Sequence, residues 1–179
     1  MHLNLYSEKN NVTLYENGGF MNTSTLMAIS FAGIGATLLM DLWSLLLRSL
    51  GIRTLDYAML GRWCGHWAKG VWFHPSIQKA SAVRGERLSG WVLHYLASIA
   101  LALAFAGLVG PQWFRNPTLL PALCWGAATV LLPWMVLQPA LGAGLAAART
   151  PRPWHSRAIS LATHIVFGLG LFLVAKAIA

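Results

Sequence analysis

One aspartate and two histidines fall inside long apolar stretches of the sequence, where burying a charge is unfavourable. They are Asp41, His94 and His164. An ionised side chain near the centre of a bilayer costs about 2.5–3.5 kcal/mol on insertion scales. Each of the three lies seven positions from an arginine at the edge of its stretch, which is roughly 10 Å along a helix. We therefore predict that the three side chains lie at one depth and form a polar layer.

Small and polar residues recur at helical spacing beside each of these side chains. Around Asp41 the stripe consists of Ser30, Gly33, Thr37, Asp41, Ser44 and Arg48. Small residues let membrane helices approach closely, and polar residues join them by hydrogen bonds. We expect the three side chains to point into the bundle together. Gln138, at the end of the third apolar stretch, is expected to reach the same layer.

Several kinds of chemistry fit such a layer. Histidine titrates near neutral pH and intramembrane acidic residues mark ion pathways, which favours a proton or ion relay, or transport. The three side chains, with His74 as a further ligand and His66 or Glu86 completing the set, also suit Zn or Fe(II). His94 and His164 together suit haem. The remaining interpretation is a hydrogen-bonded cluster that only fixes the register of the helices in a scaffold subunit. The sequence leaves these alternatives open.

The composition places these residues in a membrane protein. The 179 residues are 56% hydrophobic and only 10% charged, whereas soluble domains carry about 25% charged residues. So few charges cannot cover the surface of a soluble protein of this size. This excludes a soluble enzyme and predicts an all-α integral membrane bundle. The sequence contains no nucleophile elbow, P-loop or HExxH motif, so no catalytic residue is predicted and an enzyme is disfavoured.

Four apolar stretches are long enough to span a bilayer, which takes about 20 residues. They cover residues 26–47, 91–109, 119–137 and 158–178, in one domain over residues 21–179. Short connections predict that the second and third spans, and the third and fourth, pack as antiparallel neighbours. The polar residues 1–20 precede this domain, and Met21 offers an alternative start that would leave them outside the native protein.

The connection between the first two spans carries a further helical pattern. Apolar residues recur there every four positions, at Leu55, Met59, Trp63 and Trp67. Basic residues and His66 occupy a different face of the same segment. This pattern predicts an amphipathic helix that lies at the membrane interface, with its tryptophans at the depth of the headgroups.

Basic residues are distributed unequally between the two sides of the predicted bundle. The loops over residues 48–90 and 138–157 hold ten Lys and Arg, and the opposite side holds three. Positively charged loops stay in the cytoplasm, so we predict both loops inside and both termini outside. This asymmetry accounts for the net charge of +8 without nucleic acid, and leaves the lipid bilayer as the expected partner. Transport through four short helices would need a homo-oligomer or a membrane partner.

Several strings within residues 33–173 are similar to those of one family. They include GATLLMDLWSLLLRSLGI, LDYAMLGRW, GERLSGWVLHYLA, GPQWFRNPTLLPALCWGA, LQPALGAGLAAARTPRP and LATHIVFGLGLFL. In combination they resemble an uncharacterised family of small bacterial membrane proteins, domain of unknown function 2938. The resemblance implies a location in the bacterial inner membrane. It implies no established activity, so no catalytic residue is carried over from it.

Overall fold

The computed structural model describes residues 23–179, and every regular element in that range is helical. We number five helices, α1 (Thr23–Ser49), α2 (Tyr57–Trp67), α3 (Glu86–Val109), α4 (Leu119–Ala140) and α5 (Pro153–Ile178). All except α2 are long and apolar enough to cross a membrane. The predicted all-α bundle of four spans and one shorter helix is confirmed, and the chain is a multi-pass membrane protein. The predicted tail, residues 1–20, lies outside the described residues.

The helices extend beyond the apolar stretches from which they were predicted. α1 begins at Thr23, α3 at Glu86 and α5 at Pro153, whereas the predicted spans begin at residues 26, 91 and 158. Hydropathy marks only the apolar part of a helix, and the first turns of α3 and α5 are polar. Gly85, with a φ of 79°, precedes α3, and Pro153 has the fixed φ that suits a first helical turn.

The third span is continuous but irregular near its end. Residues Pro133–Leu137 form a π-helical segment, in which the N–H of Gln138 bonds to the carbonyl of Pro133. Proline has no N–H to donate to the preceding turn, so the regular hydrogen-bond ladder is interrupted at Pro133. The wider turn shifts the register of the residues that follow it, including Gln138.

The spans pack in an order that differs from their order along the chain. α1 packs most extensively against α5 and also against α3, and α4 packs against α5. The expectation that α4 and α5 are neighbours is confirmed, but α3 and α4 make only slight contact, so that part of the prediction is wrong. A Cβ added to Gly170 of α5 would lie 2.6 Å from the Cα of Ala36 in α1. Small residues thus let α1 and α5 approach closely, which separates α3 from α4.

The apolar core occupies one half of the bundle. Ile29 and Ala36 of α1, Phe105 of α3 and Leu171 of α5 are fully or almost fully buried there, and Trp113 covers the end of the cluster. These residues belong to the first part of α1 and the last parts of α3 and α5. The other half of the bundle, beside the two long connections, holds the predicted polar residues.

α2 is fixed tightly against the beginning of α3. A Cβ added to Gly90 would overlap the carbonyl oxygen of Tyr57, so only glycine permits this approach. Arg62 of α2 binds Glu86 through two hydrogen bonds of 2.8 and 2.6 Å. These bonds raise the pKa of the Arg62 guanidinium above its usual value. The close crossing determines where the Tyr57 side chain lies.

Candidate functional site

The Asp41 carboxylate is the centre of a hydrogen-bond network among three helices. Tyr57 of α2 donates its hydroxyl to Oδ1 at 2.8 Å, and Tyr95 of α3 donates to Oδ2 at 3.0 Å. His94 Nε2 of α3 lies 3.2 Å from Oδ1. The side chains of Asp41 and His94 are only 15% and 11% exposed. Both carboxylate oxygens therefore have partners, as buried polar groups require.

The ring of His94 is held in place by aromatic neighbours. It stacks on the ring of Tyr57 with centroids 4.0 Å apart and planes 22° apart. Trp91 packs edge-on against the Tyr57 ring, with centroids 4.7 Å apart. Burial and the nearby Asp41 carboxylate raise the pKa of Tyr57. The Tyr57 hydroxyl therefore stays protonated and remains a donor.

His164 of α5 is bonded to α4 and not to Asp41. Its Nδ1 lies 2.9 Å from the hydroxyl oxygen of Thr129. That hydroxyl donates to the carbonyl of Gly126 at 2.7 Å. Since its one proton is used there, Thr129 accepts from Nδ1–H of His164, and Nε2 carries the lone pair of the neutral ring. A Cβ on Gly126 would lie 2.5 Å from the His164 carbonyl oxygen, so this glycine permits the close crossing that brings the pair together.

A cleft of about 670 Å³ lies between α3 on one side and α4 and α5 on the other. It occupies the space where α3 and α4 hardly touch, and α2 and the two long connections line one end of it. Its volume is within the range of about 300–1,000 Å³ that is typical of ligand pockets. His94, Gln138 and His164 all line it. Of the predicted polar layer, Asp41 and His94 are bonded to each other. His94, Gln138 and His164 share the wall of one cleft.

The cleft wall also carries polar groups that have no hydrogen-bond partner among residues 23–179. The side-chain oxygen of Gln138 is buried and accepts no hydrogen bond from any residue in 23–179. Arg53, Arg149 and His155 line the end nearest the connections and are exposed. The guanidinium groups of Arg53 and Arg149 form no hydrogen bond or ion pair within the described part of the chain. The cleft therefore has a positively charged rim.

The other predicted metal ligands do not line the cleft. His66 Nδ1 and His74 Nε2 are 2.7 Å apart, and His66 Nε2 lies 3.0 Å from the carbonyl oxygen of Ser81. Because a carbonyl can only accept, the neutral His66 ring donates from Nε2 and accepts from His74. His74 Nδ1 is then left buried without a hydrogen-bond partner among residues 23–179. Glu86 is bound to Arg62.

The proposed ligand set for Zn or Fe(II) is thus divided among three places. Asp41 and His94 are in contact, His164 is bonded to Thr129, and His74 is bonded to His66. Across residues 23–179 no group of three or more His, Cys, Asp or Glu is arranged to hold a metal ion. Metal and haem binding remain predictions from the sequence.

Several residues of this site are not indicated by any pattern in the sequence. Tyr57 begins α2 and Tyr95 lies near the start of the second predicted span, residues 91–109, so in the sequence both are typical of the aromatic belt that membrane proteins carry at the interface. Two observations could have indicated them. A buried tyrosine hydroxyl needs a hydrogen-bond partner, and Tyr95 directly follows His94 in the sequence. In the sequence, Arg53 and Arg149 are only two of the basic loop residues, and nothing in their spacing indicates a shared cleft.

A family model described as protein of unknown function (DUF2938) matches residues 30–178. The chain belongs to the DUF2938 family. The match confirms the resemblance found in the sequence, and it includes the whole Asp41 network and the rim of the cleft. No curated protein and no solved structure matches the chain.

Proposed function

We propose that this DUF2938 protein is a small membrane transport protein whose cleft binds the transported molecule and whose Asp41–His94 pair relays protons, with or without that molecule bound. One observation carries the proposal. Two titratable side chains are in direct contact within the spans, and one of them lines a cleft of ligand size. Intramembrane ionisable residues that face a cavity commonly mark substrate or ion pathways.

His94 has the geometry of a proton carrier between the cleft and Asp41. Its Nε2 is bonded to the carboxylate, and its ring also lines the cleft. An imidazole has two nitrogens, so it can take up a proton at one and share the other with Asp41. Tyr57 and Tyr95 hold the carboxylate in position throughout. His164, whose Nε2 is unprotonated in the neutral ring, provides a second acceptor on the opposite wall.

A scaffold role is the second candidate, and it has an observation in its favour. The same network joins α1, α2 and α3 through one carboxylate. Polar groups that join membrane helices also fix their register. A static network in a scaffold predicts that substitution of Asp41 changes stability alone and that the wild-type protein takes up no more protons than empty vesicles do, so one experiment distinguishes the two candidates.

The test compares proton uptake by proteoliposomes that contain wild-type protein or Asp41→Asn, driven by a potassium diffusion potential and read by a trapped pH dye. Asparagine keeps the shape and one acceptor oxygen but cannot ionise. We expect uptake to fall by about tenfold or more, as for loss of a proton-transfer group. Equal uptake by both proteins, or uptake by the wild type no faster than by empty vesicles, would contradict the proposal.

Asp56→Asn is the matched control for this experiment. Asp56 is exposed, caps the N-terminus of α2 and does not line the cleft. We expect its proton uptake to equal that of the wild type. Circular dichroism and size-exclusion chromatography of each variant separate loss of transport from loss of folded protein.

We also propose that the protein lies in the bacterial inner membrane with both long connections in the cytoplasm. Within residues 23–179, the loops over residues 48–90 and 138–157 hold ten Lys and Arg, and only Arg115 and Lys176 lie elsewhere. The first connection packs on the second, since the N–H of Ile77 bonds to the carbonyl of Leu141. The positive charge is therefore concentrated at one end of the bundle, which supports this orientation.

A further inference from the structure

We infer that the cleft binds a single-chain amphiphile with an anionic headgroup, which enters sideways from the bilayer. The inference rests on the proposed function for the statement that this molecule is transported. The binding itself rests on three properties of the cleft, which are its open edge, its apolar wall and its charged rim.

The open edge of the cleft faces the region that lipid occupies. Leu132 and Val136 of α4 line the cleft and are each 51% exposed. Ala97 of α3, which also lines it, is exposed as well. Exposed apolar side chains of a membrane span contact lipid, and α3 and α4 make only slight contact. A molecule dissolved in the bilayer therefore reaches the cleft without crossing water.

The wall between the edge and the rim suits a hydrocarbon chain. Leu101 of α3 and Phe167 of α5 extend the apolar surface beyond the level of the two histidines. The cleft volume of about 670 Å³ is that of a pocket for one drug-sized molecule. It therefore accommodates one hydrocarbon chain rather than the two chains of a diacyl lipid.

The rim selects an anion. Arg53 and Arg149 come from different connections yet line the same end of the cleft, together with His155. No acidic residue among those described lines the cleft. The two guanidiniums have no side-chain hydrogen bonds or ion pairs of their own within residues 23–179. Guanidinium groups bind carboxylates and phosphates through paired hydrogen bonds, so the headgroup is one of these anions.

The experiment measures saturable binding of tritiated palmitate to the purified full-length protein in nanodiscs. We expect one molecule to bind per chain, and affinity to fall about tenfold or more in Arg53→Gln/Arg149→Gln, since each change removes a charge-assisted bond. Hexadecyltrimethylammonium, a cation with the same chain length, is expected not to compete. Palmitoyl lysophosphatidic acid serves as a second competitor, and its affinity relative to palmitate decides between a phosphate and a carboxylate headgroup.

Two matched controls keep this test specific. Arg87 is exposed at the same end of the bundle but does not line the cleft, and Arg87→Gln should bind palmitate as the wild type does. Ala97→Trp should fill the cleft and abolish binding, whereas Ala104→Trp, at another exposed position of α3, should leave it intact. Undiminished binding by the double arginine variant or by Ala97→Trp, equal competition by the cation, or no saturable binding at all would overturn the inference.

The inference and the proposed function fail separately. Asp41→Asn is expected to lose proton uptake while it keeps palmitate binding. If palmitate binds as expected but Asp41→Asn transports protons normally, the cleft is an amphiphile site and the transport mechanism is wrong. If Asp41→Asn loses proton uptake but no palmitate binds, the ligand class is wrong and the transport role stands.

Discussion

Asp41 depends on donors that come from two other helices. The Tyr57 hydroxyl belongs to α2, and the Tyr95 hydroxyl and the His94 ring belong to α3. Hydrogen bonds between membrane helices are worth about 1 kcal/mol each. The network therefore contributes through the number of its bonds, and removal of one donor leaves a buried carboxylate with fewer partners.

We expect Tyr57→Phe to lower the free energy of unfolding by about 1–2 kcal/mol. Tyr95→Phe is expected to lower it less, because the Tyr95 bond is 3.0 Å rather than 2.8 Å long and its ring is less buried. Equilibrium unfolding in mixed micelles of mild detergent and SDS measures both values. Tyr57→Phe made in an Asp41→Asn background is expected to have a smaller effect. If Tyr57→Phe lowers the free energy of unfolding equally in both backgrounds, the loss is due to packing and not to the bond with Asp41.

Helical spacing predicts depth but not bonding partners. The seven-residue distances to the flanking arginines place Asp41 and His94 at one level, and the structure brings them into contact. The same argument places His164 at that level, yet its ring is bonded to Thr129. Depth follows from sequence position alone, whereas a partner also depends on which helices are neighbours.

The position of α2 depends on one glycine of α3. A side chain at Gly90 would overlap the Tyr57 carbonyl oxygen, so it would displace the helix that carries the Tyr57 hydroxyl. Overpacking of a close contact costs about 1–3 kcal/mol. We expect Gly90→Ala to lower the free energy of unfolding by this amount, measured in the same mixed micelles.

Gly107 of the same helix is the control for this change. A Cβ added there meets no atom within 4 Å, and alanine is a better helix former than glycine by about 1 kcal/mol. Gly107→Ala should be neutral or stabilising. Equal destabilisation by both variants would show that the α2–α3 approach does not explain the effect at Gly90.

Hydropathy predicts the four spans well, because length and apolar content decide which segments cross a membrane. It does not predict that α1 and α5 lie between α3 and α4. That order depends on close contacts of small residues such as Ala36 and Gly170, which are far apart in the sequence. The cleft results from this order, so it could not be predicted from the sequence even though His94, Gln138 and His164 were.

At the scale of the whole molecule, the proposed orientation predicts the outcome of reporter fusions. Alkaline phosphatase, which is active only outside the cytoplasm, should be active when fused after Gln112, in the α3–α4 connection. It should be inactive when fused after Lys79, in the α2–α3 connection, and green fluorescent protein should give the opposite pattern. The reverse result would place the basic end of the bundle outside, against the expectation from its charge.

The pairing of the first and last spans imposes an order on biosynthesis. Trp43 of α1 donates to Thr163 of α5 at 3.2 Å across 120 residues of chain, so this contact forms only after the last helix has left the ribosome. The partners of Asp41 arrive much earlier, with α2 and α3. The polar network can therefore form before α5 is available to cover the small-residue face of α1. A nascent chain that stalls before α5 has a satisfied Asp41 and an open core, which is the state a membrane quality-control protease would encounter.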